Sequence, residues 1–302
     1  MLSTCPWVEM IPSSVAADVT VESARYLDGK PPSAHGYYGQ QFMERHNRAV
    51  RVGGSYSGSG AGFDVMEGWD STVAAGVNGW DALGTYPPFS GIGGSQVQID
   101  VPIAKHPTTE ELFLVYAQNG YLRKFTPNAS TPGGSWSTVG NPLSPPIVPF
   151  DSNGGACAID TVRNRMMVTH GSATAGAMVT EPYTVDLSTG VWTAHTYQAS
   201  AATTELKTLQ SAPGMVYVPS EDAYYLRGSA SGGRVFRIDA GTFDVTKPTT
   251  TGGSSVPAAP FLNFAPFKNY ENIYTRWLLA PLLGGVVYFP GYTSNGWFLR
   301  LF

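Results

Sequence analysis

The sequence predicts an all-β fold, and three observations indicate that this fold is a β-propeller. First, a unit of two short strands, a glycine break, a third strand and a closing aromatic residue recurs along the chain. Second, 35 glycines and 23 prolines divide the chain into short segments, which favours strands and turns over long helices. Third, a long repeat of about four short strands is typical of a propeller blade, because sheets packed face to face around an axis bury both of their faces.

The first unit begins after Gly36. We expect strands over residues 37–43 and 48–52, joined by a tight turn, and a third strand over residues 63–70. Gly53-Gly54 ends the second strand, and Trp80 closes the unit.

Three further units follow the same order. The second unit has three predicted strands and a closing tryptophan: residues 97–104, 112–117, 121–125 and Trp136. The third unit, which contains the best-preserved stretch (residues 164–192), has the corresponding parts at residues 156–160, 165–169, 183–186 and Trp192. The fourth unit uses residues 215–219, 223–226 and 234–239, with Phe243 roughly where the tryptophan is expected.

The last unit lacks a closing strand. Its three predicted strands are residues 277–281, 286–289 and 296–302. Residues 6–10, P-W-V-E-M, carry the tryptophan that this unit lacks, so we expect the N-terminal strand to complete the C-terminal blade. The chain is therefore predicted to be a single β-propeller domain, residues 1–302, of about five four-stranded blades. A count of six or seven blades remains open if two copies were merged.

Two motifs carry a resemblance to a known family. Gly53-Gly54 with Trp80, and D-L-S-T-G-V-W at residues 186–192, resemble the kelch repeat of galactose-oxidase-like propellers. The resemblance implies a kelch-type propeller. It implies no single function, since this family includes both enzymes and binding modules.

Composition excludes several partners. The formal net charge is −4 and charged residues make up 13%, so the sequence has no basic surface for nucleic acid. No apolar run is long enough for a membrane helix, and the N-terminus lacks the pattern of a signal peptide. We expect synthesis in the cytoplasm and residence in a virion or an extracellular assembly.

The residues that could hold a metal are scattered. Two histidines, His35 and His170, are expected on the face of the propeller that usually carries a site, and they belong to different blades. A copper site needs further ligands. The resemblance includes copper enzymes, which also use a cysteine cross-linked to a tyrosine. The residues around Cys5 and Cys157 do not indicate such a cross-link. The sequence predicts no metal site, no cofactor and no catalytic residues.

Aromatic residues are the best candidates for binding. Trp7, Trp80, Trp136 and Trp192 recur at one position of the repeat, which favours packing between blades. Tyr56 and Trp69 lie away from that position, beside a Gly-Ser loop. The proline-rich connections 85–90, 143–150 and 256–267 are almost uncharged, and they either cover the blades or form an apolar surface for a partner. The predicted binding residues are Tyr56, Trp69, Phe89, Phe150, Phe261, Phe264 and Phe267.

Two functions are the main hypotheses, and a kelch-type intracellular adaptor is a third possibility, although the sequence has no partner domain such as a helical dimerisation module. The first is a non-enzymatic propeller that serves as a structural or interaction module, bound to other protein subunits of an assembly such as a phage tail, fibre or capsid. The alternative is a surface propeller that binds or cleaves glycans. Carboxylates for glycoside cleavage are present (Asp64, Glu67, Asp70, Asp151 and Glu181), but the sequence alone cannot pair them.

Overall fold

The strands form a five-bladed β-propeller, which confirms the predicted all-β fold class. The computed structural model describes residues 26–28, 30–31, 34–35, 39–53, 55–56, 65–89, 102–116, 121–140, 155–172, 178–209, 213–228, 234–248, 277–288 and 297–301. Within them lie five antiparallel sheets of three or four strands, which follow one another along the chain, and two short strand pairs.

The N-terminal part of the described chain supplies two sheets. The first sheet contains β2 (Gln40–Met43), β3 (Arg48–Val52) and β5 (Met66–Asp70), in that order. An isolated bridge joins Trp69 of β5 to Trp80. A separate short pair joins β1 (Ala34–His35) to β4 (Ser55–Tyr56). The second sheet contains β6 (Ile103–Lys105), β7 (Leu112–Tyr116), β8 (Tyr121–Pro127) and β9 (Gly134–Val139).

The C-terminal part supplies the other three. The third sheet contains β10 (Ala156–Asp160), β11 (Arg165–Thr169), β14 (Tyr183–Asp186) and β15 (Trp192–Ala194), and a short pair joins β12 (Gly171–Ser172) to β13 (Met178–Val179). The fourth sheet contains β16 (Gly214–Val218), β17 (Ala223–Arg227), β18 (Val235–Asp239) and β19 (Val245–Thr246). The fifth sheet contains β20 (Trp277–Ala280), β21 (Gly285–Tyr288) and β22 (Trp297–Arg300). The strand expected at residues 6–10 lies outside the described residues.

One helix lies between the third and fourth sheets. It is α1 (Ala201–Leu206), the only α-helix among the described residues, and we did not predict it from the sequence. The helix begins at Ser200, whose hydroxyl oxygen accepts a hydrogen bond from the backbone N–H of Thr203 at 3.0 Å. In the part of the chain that the structure describes, no helix has the length and apolarity needed to cross a membrane.

A shared hydrogen bond demonstrates the repeat in four of the sheets. The turn between the first two strands ends at a residue in the left-handed conformation, which Asn, Asp and Gly adopt most easily. The carbonyl of that residue accepts a bond from the backbone N–H of the residue that follows the third strand. The pairs, with the acceptor first, are Asn47 and Ser71, Asn164 and Leu187, Asp222 and Ala240, and Gly284 and Leu301.

The turns after the third strand match closely in the third and fourth sheets. The Oδ1 atoms of Asp186 and Asp239 each accept hydrogen bonds from the backbone N–H groups two and three residues later, at 2.7 to 2.9 Å. The position four residues after each aspartate is also equivalent: its backbone N–H donates to the carbonyl of the aspartate, and it is Gly190 in one turn and Phe243 in the other, with φ of 70° and 61°.

This match corrects the predicted place of Phe243. Trp192 pairs with Val185 across the last two strands of the third sheet, and Val245 pairs with Ile238 in the same way in the fourth. Val245 therefore takes the strand position of Trp192, and Phe243 takes the position of the turn glycine. The expectation that Phe243 replaces the tryptophan was wrong, because spacing alone did not reveal the turn.

The apolar core lies between consecutive sheets. One cluster joins the second and third sheets through Phe113, Met166 and Trp192. A larger cluster joins the third and fourth sheets and includes Leu206 of α1. A third cluster joins the fourth and fifth sheets and includes Trp277. The second, third, fourth and fifth sheets therefore each bury a face against a neighbouring sheet, as the predicted blade packing requires.

The chain divides into two compact units, residues 1–99 with 125–137 and residues 100–124 with 138–302. In the first unit, Met43, Val50, Val52 and Met66 are buried on one face of the first sheet. The second unit contains the three core clusters described above. The single domain expected from the sequence remains a prediction.

Candidate functional site

The outer face of the first sheet carries exposed aromatic residues. Phe42, Ala49 and Trp69 are opposite one another on β2, β3 and β5, and Trp80 is bridged to Trp69. Phe42 is 41% exposed, Ala49 is exposed, and both tryptophans are partly exposed. Because side chains alternate along a strand, this row faces away from the buried residues Met43 and Val50. We call Phe42, Ala49, Trp69 and Trp80 the aromatic strip.

Trp69, a predicted binding residue, exposes carbon and not its nitrogen. The Nε1 atom is buried without a hydrogen-bond partner, whereas the side chain as a whole is partly exposed. A Cβ added at Gly79 would lie 2.8 Å from this nitrogen, so the glycine allows the turn to approach the edge of the indole. The accessible part of Trp69 is therefore an apolar ring surface.

The next row of the same face is polar. Gln40, Arg51 and Glu67 are opposite one another on β2, β3 and β5. Gln40 is exposed, whereas Arg51 forms a salt bridge with Glu67, whose side chain is almost fully buried. The two charges of this row therefore neutralise each other at the end of the aromatic strip.

The other predicted binding residues have different outcomes. Tyr56 lies in β4 opposite Ala34, and the structure describes its backbone but not its side chain. Phe89 is 2% exposed and packs edge-on against Trp136, with ring centroids 5.8 Å apart. The described part of its proline-rich connection therefore packs against the blade. Phe150, Phe261, Phe264 and Phe267 lie outside the described residues.

The fifth sheet presents a second apolar surface. Leu278, Val287 and Phe298 are opposite one another on its three strands, and Leu278 and Phe298 are 47% and 46% exposed. The alternate residues Trp277, Val286 and Tyr288 are buried against the fourth sheet. A Cβ at Gly285 would lie 2.7 Å from the Phe298 ring, so the ring lies over the glycine.

The apolar surface continues onto the turn between β20 and β21. Leu282 is 100% exposed and Leu283 is 64% exposed. The turn is a single 3-10 turn, Pro281–Leu283, closed by Gly284 at φ 68°. We call Leu278, Leu282, Leu283 and Phe298 the fifth-sheet patch. We did not predict this patch from the sequence, although the uncharged run from residue 277 to residue 288 is a visible signal of it.

Two of the histidines, His46 and His170, are held by hydrogen bonds to backbone carbonyl groups. His46 lies in the first hairpin turn, and its Nε2 is 3.0 Å from the carbonyl oxygen of Asn128. His170 is fully buried between Thr169 and the carbonyl of Leu206. Burial lowers its pKa to about 4, so the imidazole is neutral near pH 7. The described residues contain no group of three or more His, Cys, Asp or Glu side chains arranged to hold a metal ion.

The candidate carboxylates are bound to cations. Glu67 pairs with Arg51, Asp70 with Arg48, and Glu181 with Lys207. Hydrogen bonds from Thr72, together with Arg48, hold the pKa of Asp70 below its usual value. Asp64 and Asp151 lie outside the described residues. The described carboxylates that the sequence suggested are thus parts of ion pairs.

A network between the third and fourth sheets was not predicted. Asp160 is fully buried, and its Oδ2 accepts hydrogen bonds from Arg163 and Arg165 at 3.1 and 3.0 Å. Arg163 also binds both oxygens of Asp222 at 2.6 Å. Hydrogen bonds from Arg163 lower the pKa of Asp222 to about 2. This network joins two adjacent blades, and its balanced charges fit a structural role.

Comparison with known proteins assigns no family to this fold: no protein-family model matches the chain, and no curated protein matches it.

Proposed function

We propose that the chain is a non-enzymatic interaction module of a larger assembly, and that it binds a partner protein through the fifth-sheet patch. The observation that supports this proposal is the exposure of four large apolar side chains on one sheet and its turn. Contiguous exposed apolar surface of this kind commonly marks an interaction site.

The repeat itself indicates that the turn leucines of the patch, Leu282 and Leu283, are not needed for the fold. Counted back from the left-handed residue that ends each turn, Leu282 and Leu283 correspond to Ser220 and Glu221 in the fourth sheet. The same 3-10 turn therefore forms with polar residues. The leucines add no buried contact within the turn, and a partner that covers them gains about 1.5–3 kcal/mol for each side chain fully buried.

We also propose that this propeller is of the kelch type. The matching Asp186 and Asp239 turns are what the D-L-S-T-G-V-W motif specifies, and they support a distant kinship with kelch-type propellers. A virion component, such as a tail, fibre or capsid-decorating protein, is the concrete form of assembly that we propose. The low share of charged residues, 13%, fits a protein that is covered by neighbours in an assembly.

A photo-crosslinking amino acid placed at position 282 tests the partner contact in the source organism. Position 162 is the matched control, because Val162 occupies the equivalent turn of the third sheet and is 62% exposed. We expect position 282 to crosslink to one defined protein of the assembly and position 162 to give no such product. Equal crosslinking from both positions, or none from position 282, contradicts the proposal.

A further inference from the structure

We propose that Asn78 is a site of spontaneous deamidation, and that its conversion to isoaspartate detaches Trp80 from the first sheet. The reaction needs no co-reactant other than water. The residues involved, 69–80, all belong to the first compact unit, and no contact between the two units is needed.

Asn78 lies at the end of a long exposed loop. Nine residues, 71–79, separate β5 from Trp80, whereas five residues, 187–191, separate β14 from the equivalent Trp192. Seven of the nine are exposed, and Asn78 is one of them. Water and hydroxide therefore reach the Asn78 amide, and the longer loop can change shape without moving the strands.

The residue after Asn78 is a glycine whose nitrogen is free to react. Among the described residues, no group accepts a hydrogen bond from the Gly79 N–H. A Cβ at this position would lie 2.6 Å from Cγ2 of Val73 and 2.8 Å from Nε1 of Trp69, so the loop requires glycine here. The same lack of a side chain leaves the approach from Cγ of Asn78 to this nitrogen open.

The Asn78 side chain is held in a reactive arrangement. Its Oδ1 accepts a hydrogen bond from the backbone N–H of Trp80 at 3.2 Å. This bond folds the amide over the main chain, on the side of the intervening Gly79 nitrogen. When that nitrogen attacks Cγ, negative charge develops on Oδ1, and a donor already aimed at this oxygen stabilises it.

The steps balance with water alone. A base in the solvent takes the proton of the Gly79 N–H, and the nitrogen forms a bond to Cγ of Asn78. The Cγ–Nδ2 bond breaks, and ammonia leaves with a proton. Water then opens the cyclic imide at either carbonyl group and gives aspartate or isoaspartate. In isoaspartate the main chain runs through Cγ, so it is longer by a methylene group.

The longer main chain disrupts the contacts that hold Trp80. Trp80 is bridged to Trp69 of β5. Beside this bridge, the Asp70 N–H donates to the Gly79 carbonyl at 2.8 Å. A methylene group inserted just before Gly79 displaces this carbonyl and removes the side-chain acceptor of the Trp80 N–H. We therefore expect Trp80 to separate from β5.

Incubation of the folded protein in mildly alkaline buffer, followed by peptide mapping, tests the site. Asn128 is the internal control, because it is also exposed and lies between two strands but is followed by Ala129. We expect Asn78 to convert about fivefold faster than Asn128 or more, since glycine gives the main chain more freedom than alanine. Further Asn-Gly pairs lie outside the described residues and give separate peptides; they begin at residues 119, 153 and 295.

Two variants test the effect on the sheet. Asn78→Gln blocks the reaction, because glutamine would have to close a larger ring, and it retains the other Asn-Gly pairs. Asn78→Asp supplies the charge of the product without lengthening the main chain. We expect incubated wild type to melt about 2 °C or more below incubated Asn78→Gln. Freshly purified Asn78→Asp should melt like fresh wild type.

Three results overturn the inference. One is that Asn78 of the folded protein converts no faster than Asn128. Another is that incubated wild type, with Asn78 converted, melts at the same temperature as incubated Asn78→Gln. The third is that fresh Asn78→Asp is destabilised as much as incubated wild type, because the charge and not the longer main chain would then be responsible.

Discussion

At the scale of single residues, two side chains hold positions that their type does not favour. His170 has φ 57° and is fully buried at the end of β11. Its Nε2 faces the carbonyl oxygen of Leu206 at 3.0 Å and therefore carries the proton. Its Nδ1 faces Thr169, whose hydroxyl oxygen accepts a hydrogen bond from Tyr197. The histidine thus joins β11 to the end of α1.

The pH dependence of stability should report this burial. The pKa of His170 is lowered from 6.5 to about 4, mainly by desolvation, while Leu206 and Glu181 oppose the shift. Above pH 6.5 the imidazole is neutral in both the folded and the unfolded chain, and its full contribution to the free energy of unfolding is present. As the pH falls from 6.5 to about 4, the unfolded chain binds a proton that the folded chain does not, so the free energy of unfolding falls by about 3 kcal/mol.

Urea denaturation of the wild type and of His170→Asn at several pH values between about 7 and 4 measures this effect. Asn adopts the left-handed conformation readily, so it is the mildest replacement. We expect the wild type to lose about 3 kcal/mol more than the variant over this range. Parallel losses in the two proteins would show that His170 is not the responsible group.

Phe243 is the second such residue. It has φ 61°, is 5% exposed, and stacks on His195 with ring centroids 4.2 Å apart. The guanidinium of Arg165 lies 5.5 Å from the same ring. Contacts with the third sheet thus compensate for a backbone conformation in which the equivalent residue is Gly190.

The left-handed conformation of Phe243 predicts an unusual order of stability among variants at this position. Phe243→Ala and Phe243→Gly both lose the ring contacts, at a cost of about 3–5 kcal/mol. The glycine variant avoids the penalty of a Cβ in the left-handed region, so we expect it to be more stable than the alanine variant by about 1 kcal/mol. Thermal or chemical denaturation measures this difference. An alanine variant as stable as the glycine variant would contradict the turn geometry.

At the scale of elements, the ion-pair network between the third and fourth sheets contains two aspartates that differ in burial. The Asp160 side chain is fully buried, whereas that of Asp222 is 43% exposed. Replacing one partner of a buried ion pair leaves an uncompensated charge, so Asp160→Asn should cost about 3–5 kcal/mol. Asp222→Asn should cost about 1 kcal/mol or less, because water screens an exposed pair.

Denaturation of the two aspartate variants and of the double variant tests this ranking. The double-mutant cycle also measures how strongly the two carboxylates are coupled through Arg163. Equal costs for the two single variants would contradict the role assigned to burial.

The elements also show what the sequence could predict. Alternating apolar residues between glycine and proline breaks identified Ala156–Asp160 and Arg165–Thr169 to the residue, because these strands are regular and their turns are short. The first strand of the second sheet was predicted over residues 97–104. Residues 97–101 lie outside the described residues, and the described strand, Ile103–Lys105, ends one residue later than predicted. Pattern alone does not say where ladder pairing ends.

The candidate sites were harder to predict than the strands. Trp69 was singled out because it stands outside the repeat, and the structure adds its row partners Phe42 and Ala49, which are 20 or more residues away in the chain. The Arg163–Asp222 pair spans 59 residues, and no local signal relates its members. Helix α1 was missed because six residues are too few to show a helical period.

At the scale of the whole molecule, the two compact units raise the question of cooperativity. Their boundaries fall inside strands, since β8 runs from Tyr121 to Pro127 and β9 from Gly134 to Val139. Neither unit can therefore unfold without breaking a strand of the second sheet. We expect calorimetry to show one transition whose calorimetric and van't Hoff enthalpies agree. Two separate transitions would argue against the predicted single domain.

We have proposed that the chain works by contact with another protein through its fifth sheet. The measurement that tests it most directly compares the wild type with the double variant Leu282→Ser, Leu283→Glu, which carries the residues of the equivalent turn in the fourth sheet. Both are expressed in the source organism and followed by sedimentation velocity. We expect the wild type to sediment within a larger assembly, and the double variant to sediment as a folded monomer with an unchanged melting temperature. Wild type and variant sedimenting alike, both free or both assembled, would contradict it.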